Sequence, residues 1–169
     1  MELTKKDRLF LINQLLILEK LYPEEQSYYA EHRKALQEGY KLHYSWLFSN
    51  LDDEMSEEEC REVLDILEMY RAITFSYKKL KDKQGVTEEE IKFKGFDGNE
   101  ETKQFSYVLY FTIDLKRYDE LKDNAEYPNF NSHFPMLPRY RKMLNTWKNF
   151  PKKHTLDIDQ IKLLLKDKH

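Results

Sequence analysis

The chain has a single cysteine, Cys60, among its 169 residues, so no internal disulfide can form. Without disulfides a reducing compartment is expected, and we predict a cytoplasmic protein. Apolar runs are about four residues long, whereas a membrane span needs roughly 18, so we expect no membrane partner. Lys5 to Arg8 and the apolar stretch after them are similar to a secretion signal, but Asn13 and Gln14 interrupt that stretch and no cleavage site follows.

Glycine and valine are scarce: the chain has four Gly and three Val beside 23 Leu. Sheets need the turns that glycine supplies, while Leu, Glu, Lys and Gln lose little side-chain freedom in a helix. Aromatic residues form 14% of the chain, which argues against disorder. We therefore predict an all-α fold, a compact multihelical array of about six or seven helices around a long central helix. We expect one domain over residues 1–169.

Capping patterns and apolar spacing locate the outer helices. Thr4 and Asp7 form an N-terminal cap for the first helix. The wide apolar stripe that follows predicts that this helix is well buried. A helix around Pro138 to Lys148 is expected, and Asp157 with Gln160 predicts the cap of the last helix.

The central helix is predicted from Ser56 to Lys83. It opens with a capping box, in which Ser56 is followed three residues later by Glu59. Two apolar stripes then run along it, which indicates contacts on two sides. Tyr70 lies on these stripes, so we expect it to be buried with its hydroxyl hydrogen-bonded.

Several segments, in the same order along the chain, resemble the YfbU family of bacterial proteins. These segments are Asn13-Gln14, Gly39-Tyr40, Cys60-Arg61, Asp65 to Tyr70, Gly95-Phe96-Asp97, Pro135-Met136, Tyr140, Met143-Leu144-Asn145 and Trp147. The resemblance implies a multihelical cytosolic protein that self-associates. It implies no activity and supplies no functional residues.

Motifs for cofactors, metals and common catalytic chemistry are missing. The sequence has no glycine-rich phosphate loop, no dinucleotide-binding fingerprint and no serine-hydrolase or zinc-protease motif. The segment from Asp97 begins like a calcium loop but has Thr102 where glycine is required and Val108 where a glutamate is required. The five histidines lack metal-ligand spacing. We therefore expect no metal and no cofactor, and Cys60 is read as a small core residue.

A row of charged residues marks the central helix: Arg61, Asp65, Glu68 and Arg71. Their spacing of three and four residues places neighbours on one helix face, where they can form ordinary ion pairs. Acid–base catalysis by the same row is the alternative. Helical ribonucleases often carry an arginine and a histidine with four to six residues between them, and no arginine here has such a histidine.

Charge is distributed unevenly along the chain. The part from Met136 to the end carries a net charge of +6, and the first 135 residues carry −9. Basic and aromatic residues alternate here and are candidates for binding an anionic partner: Arg139, Tyr140, Arg141, Lys142, Trp147, Lys148, Lys152 and Lys153. Such a mixture can bind phosphates and stack bases. Alternatively, the aromatics form a core face beside solvated lysines, or basic and acidic regions meet across subunits.

Three functional classes stay open. The lack of catalytic motifs favours a non-catalytic interaction or adaptor protein that acts as a homo-oligomer. The basic C-terminal part favours a nucleic-acid-associated regulator, and the charged row on the central helix favours a hydrolase or ribonuclease-like effector in stress or phage response. Twelve Tyr and ten Phe exceed what one small core comfortably hides. Because aromatics are enriched at interfaces, we predict self-association, most simply as a symmetric dimer.

Overall fold

The computed structural model describes residues 2–122 and 128–166, so His169 lies outside the described residues. Of the described residues 65% are helical and none forms a strand, which confirms the all-α fold class. The chain forms two compact units, residues 1–54 and 55–169. The single domain that we expect over residues 1–169 stays a prediction, because a division into compact units does not test it. No helix in the described ranges has the length and apolar character needed to cross a membrane.

The first unit is built on two helices. Helix α1 (Lys5–Leu21) and helix α2 (Gln26–Glu38) are joined by a short 3-10 turn, and a 3-10 helix (Lys41–Phe48) follows. Thr4 and Asp7 cap α1 as predicted, since the hydroxyl of Thr4 accepts the amide of Asp7 at 3.1 Å. The small core of this unit consists of Leu15, Leu36 and Tyr44.

Helix α1 is less buried than its sequence predicts. Only Leu15 and Glu19 on it are buried. Its other apolar residues divide between two faces, and those on the face away from Leu15 are exposed to solvent. The expectation of a well-buried helix was therefore wrong, because the wide stripe consists of one face that packs within the unit and a second that does not.

Helix α3 (Glu57–Lys79) is the central helix of the second unit. Ser56 and Glu59 form the predicted capping box, and ten residues of the helix are buried. The helix ends four residues before the predicted Lys83, because Leu80 already has an extended backbone. Tyr70 is 1% exposed, as expected, and its hydroxyl lies 3.9 Å from the sulfur of Met143, a weak hydrogen-bond acceptor.

Four further helices complete the second unit: α4 (Glu88–Ile91), α5 (Thr102–Leu109), α6 (Leu137–Lys148) and α7 (Ile158–Leu165). A π-helical turn extends α5, and α7 carries the predicted cap. The described residues thus form seven α-helices, in agreement with the predicted six or seven.

Gly95 makes possible a close crossing of two segments. Phe96 donates its amide to the carbonyl of Phe130 at 2.9 Å, and Ser132 donates its amide to the carbonyl of Phe96 at 3.1 Å. The backbone of Gly95 has φ +82°, and a Cβ atom here would lie 1.7 Å from the carbonyl oxygen of Phe130. Only glycine fits both the backbone conformation and the space. We term this crossing the Gly95 junction.

The buried carboxylate of Glu101 fixes the start of α6. Its Oε1 accepts the backbone amides of Met136 at 2.8 Å and Leu137 at 2.6 Å, while its Oε2 accepts the amide of Asp97 at 3.0 Å. A negative charge is favourable at a helix N-terminus, where amides lack intrahelical partners. Glu101 thus fixes the start of α6, and Arg139 lies two residues after Leu137.

Candidate functional site

The structure brings two residues of the predicted polar row together with three that the sequence did not single out. Glu68 and Arg71 of α3 meet Tyr118 and Glu120, which follow α5, and His154, which follows α6. We term these five residues the Glu68 cluster. The cluster lies within the second unit.

Glu68 is the common partner in this cluster. Its Oε2 accepts the hydroxyl of Tyr118 at 3.0 Å and the guanidinium of Arg71 at 3.4 Å. Its Oε1 lies 3.4 Å from Nδ1 of His154. Arg71 also pairs with Glu120, and its guanidinium carbon lies 3.9 Å from the centre of the Tyr118 ring. The guanidinium of Arg71 therefore contacts two carboxylates and one aromatic face.

Tyr118 is held in an uncommon backbone conformation. Its φ is +54°, in the left-handed region that residues other than glycine seldom adopt. Burial, together with the hydrogen bond to Glu68, raises the pKa of Tyr118 to about 12. The phenol therefore stays protonated at neutral pH and donates to the carboxylate.

The Glu68 cluster suits a structural role better than catalysis. A general acid or base works best when its pKa is near the operating pH, and the pKa of Tyr118 is far above it. The carboxylates of Glu68 and Glu120 share the charge of Arg71. Among the described residues, no group of three His, Cys, Asp or Glu side chains is placed to hold a metal ion. The cluster joins α3 to two irregular segments.

The other two residues of the predicted row lie apart from this cluster. Arg61 pairs with Glu57 one turn earlier on the same helix. Asp65 pairs with Lys148 on α6. The row is thus divided among three separate sets of contacts rather than aimed at one point.

The basic residues predicted to bind an anionic partner differ in their contacts. Arg141 makes a bidentate ion pair with Glu62, at 2.7 and 2.8 Å, and Lys148 pairs with Asp65. Both side chains therefore form ion pairs with α3. Arg139 is half-buried and lines a groove beside the start of α6. The remaining three are exposed and make no ion pair with a described residue: Lys142, Lys152 and Lys153.

The two aromatic candidates in this segment are core residues. Tyr140 is fully buried, and its hydroxyl donates to the carbonyl of Gly95 at 3.0 Å. Trp147 is 4% exposed, and its indole N–H donates to the carbonyl of Lys153 at 2.7 Å. A nucleic-acid base would need an accessible ring face to stack on them. Their placement agrees with the alternative in which the aromatics form the core face of the helix.

Exposed apolar surface is concentrated in the first unit. Of 16 large apolar side chains exposed among the described residues, 11 belong to the first unit, which is about a third of the chain. Five of them lie on α1 and form what we term the α1 face: Leu9, Phe10, Leu16, Ile17 and Leu21. Their spacing of four and seven residues is that of a second apolar stripe, which the sequence analysis interpreted as core.

The chain is similar to known proteins over nearly its whole length. The YfbU domain model matches residues 1–166. A UPF0304 protein from Methanocaldococcus jannaschii is 40% identical over 163 residues, which cover 94% of this chain and 96% of that protein. A UPF0304 protein from Actinobacillus succinogenes is 36% identical over 165 residues, which cover 98% and 99% respectively. These matches confirm the resemblance found in the sequence, and the chain belongs to the YfbU family.

Proposed function

We propose that this protein is a non-catalytic interaction protein that works as a homodimer, with the α1 face as its self-association surface. The observation that carries the proposal is the exposed apolar stripe on α1, whose residues are between 44 and 65% exposed. Soluble monomers seldom expose large contiguous apolar patches without a binding function. The ion pairing of Arg61, Asp65, Glu68 and Arg71 supports binding over catalysis.

The pattern on α1 favours a second copy of the same helix as the occupant. Asn13 is the middle residue of α1, and apolar residues lie at equal distances on both sides of it: Phe10 and Leu16 three residues away, Leu9 and Ile17 four residues away. When two copies pack antiparallel about a twofold axis through Asn13, these four residues meet apolar residues, and Leu21 lies opposite Lys5. Antiparallel packing also sets opposite ends of the helix dipoles side by side.

The size of this surface indicates a reversible dimer. Burying a Leu-sized side chain fully is worth about 1.5–3 kcal/mol, so five half-exposed side chains on each protomer offer about 10 kcal/mol in total. Association itself is opposed by about 4–15 kcal/mol. We therefore expect a dimer that dissociates on dilution.

Introducing a charge on the α1 face should dissociate the dimer. In light scattering, wild-type protein at about 100 μM should have twice the 20.7 kDa mass of the chain. The Ile17→Lys variant should have the monomer mass, because the dimer would bury a lysine without a counter-charge. Leu163→Lys is the matched control, since Leu163 is similarly exposed but lies on α7. A wild-type monomer at this concentration, or equal effects of both variants, would contradict the proposal.

A mixed-variant experiment tests the antiparallel register. Leu9→Lys and Ile17→Glu should each dissociate alone, because each places one charge in an apolar contact. When the two variants are mixed, Lys at position 9 of one chain meets Glu at position 17 of the other, and a heterodimer should form. A parallel arrangement would place these positions against their own counterparts and would give no rescue.

A further inference from the structure

A line of polar residues runs along the middle of the α1 face. Lys6, Asn13 and Lys20 are seven residues apart, which is about two helical turns, and all three are exposed. Asn13 lies three or four residues from each apolar residue near the middle of the face: Leu9, Phe10, Leu16 and Ile17. Residues at that spacing are neighbours on a helix surface, so the polar line separates two apolar columns. Lys6 and Lys20 continue this line toward the two ends of α1.

The charges of Lys6 and Lys20 are not neutralised within α1. The two acidic side chains of this helix have other partners, since Asp7 caps the helix and Glu19 pairs with Arg33. In residues 2–122 and 128–166, no carboxylate forms an ion pair with Lys6 or Lys20. One positive charge therefore lies near each end of the α1 face.

The antiparallel arrangement places these charges against each other. Lys6 and Lys20 are each seven residues from Asn13, on opposite sides of it. In a dimer with its twofold axis at Asn13, Lys6 of one protomer lies opposite Lys20 of its partner, and symmetry repeats this contact at the other end. Asn13 meets its own counterpart, and its amide group can both donate and accept a hydrogen bond there. The lysines are thus the residues of the face that oppose self-association.

This repulsion is large enough to affect a weak dimer. In water, the repulsion of two unit charges about 4 Å apart changes an equilibrium constant roughly fivefold. Long lysine side chains can move apart, so we expect the two contacts together to weaken the dimer by about 3- to 10-fold at low salt. The screening length falls from about 30 Å at 0.01 M salt to about 3 Å at 1 M, which removes most of this repulsion.

We propose that ionic strength controls self-association of this protein through Lys6 and Lys20, so that the dimer becomes tighter as the salt concentration rises. This inference rests on the antiparallel dimer proposed above. It adds that the two lysines set the affinity of the dimer. Complexes held together by opposite charges show the reverse salt dependence.

Sedimentation equilibrium of the full chain between about 0.02 and 0.5 M NaCl tests the inference. The Kd of the wild-type dimer should fall by about 3- to 10-fold over this range. Lys6→Glu places a negative charge opposite Lys20 of the partner, so this variant should dimerise more tightly than wild type at low salt, and its Kd should rise with salt. The double variant Lys6→Glu with Lys20→Glu again opposes like charges and should return to the wild-type direction.

Lys34→Glu is the matched control. Lys34 is also exposed and belongs to the same unit, but it lies on α2. Its reversal changes the net charge of −3 by the same amount as Lys6→Glu. If net charge alone governed association, both variants would dimerise less well than wild type at low salt. We expect that outcome for Lys34→Glu only, because the charge it changes lies off the α1 face.

Folding does not confound the comparison, because Lys6→Glu adds a negative charge in the first turn of α1, where the helix dipole favours it. The inference is overturned, and the dimer stands, if wild type dimerises and Ile17→Lys dissociates it but Lys6→Glu is no tighter than wild type at about 0.02 M NaCl. Wild-type protein that stays monomeric at about 100 μM at every salt concentration overturns the dimer as well.

Discussion

Replacing Gly95 by alanine should lower the free energy of unfolding by about 3–5 kcal/mol, a large part of the 5–15 kcal/mol typical of a folded protein. The added Cβ would lie 1.7 Å from the carbonyl oxygen of Phe130 and 2.3 Å from its carbonyl carbon. Backbone atoms cannot rotate aside as the end of a flexible side chain can. One of the two crossing segments must therefore move as a whole.

That movement would break several contacts at once. The two backbone hydrogen bonds between Phe96 and the 130–132 segment would be lost, as would the bond from the hydroxyl of Tyr140 to the carbonyl of Gly95. Each such bond contributes about 0.5–1.5 kcal/mol, and a buried group left without its partner adds to the loss. The left-handed backbone adds about 1 kcal/mol for any residue with a Cβ atom.

Gly85→Ala separates the steric clash from the backbone penalty. Gly85 has φ +81°, nearly the same as Gly95, but a Cβ added there has no atom within 4 Å. Its substitution should lower the free energy of unfolding by only about 1–2 kcal/mol. Urea denaturation followed by circular dichroism measures both variants. Equal losses for the two glycines would show that the close crossing at Gly95 is not needed for stability.

The helices could be predicted because the signals that start them are local. Ser56 with Glu59, and Asp157 with Gln160, each place a carboxylate or amide three residues after the N-cap, and both pairs form capping boxes. The end of α3 was less predictable, because apolar spacing continues to Leu80 although the helix has already stopped. Periodicity reports which residues face the core and does not fix where the backbone leaves the helix.

The composition of the Glu68 cluster could not be predicted. Glu68 and Arg71 were identified because they lie one turn apart on a regular helix. Tyr118 and Glu120 come from a segment without periodicity, and their contacts with α3 depend on the left-handed backbone at Tyr118. No local pattern in the sequence signals such a conformation for a tyrosine. His154 likewise reaches Glu68 from an irregular segment after α6.

The α1 face shows a second limit of structure prediction from sequence. Its apolar residues are plain in the sequence, but a stripe of this kind predicts burial without saying what covers it. Leu11 and Leu18 pack with Leu15 inside the first unit, whereas Leu9 and Ile17 on the other side are exposed. A single chain cannot distinguish core from interface by hydrophobicity, because both kinds of surface use the same residues.

Trp147→Ala should lower the free energy of unfolding by about 3–5 kcal/mol, as for other buried aromatic residues. The indole is 4% exposed and packs in the main core with Met143 and Leu144 of the same helix. Trp147→Phe keeps most of the apolar contact and loses the hydrogen bond to the carbonyl of Lys153. That variant should lose clearly less stability than Trp147→Ala. Thermal and urea unfolding measure both.

The same substitution decides whether the basic segment binds nucleic acid through its aromatic residues. Stacking on an accessible ring is worth about 1–3 kcal/mol per base, and phosphate contacts make binding fall steeply with salt. With Trp147 and Tyr140 buried, neither ring is available to a base. We therefore expect no micromolar binding to a short RNA at about 0.15 M salt, and an effect of Trp147→Ala on stability only. Micromolar binding by the wild type that disappears in a still-folded Trp147→Ala protein would show instead that the ring becomes accessible to its ligand.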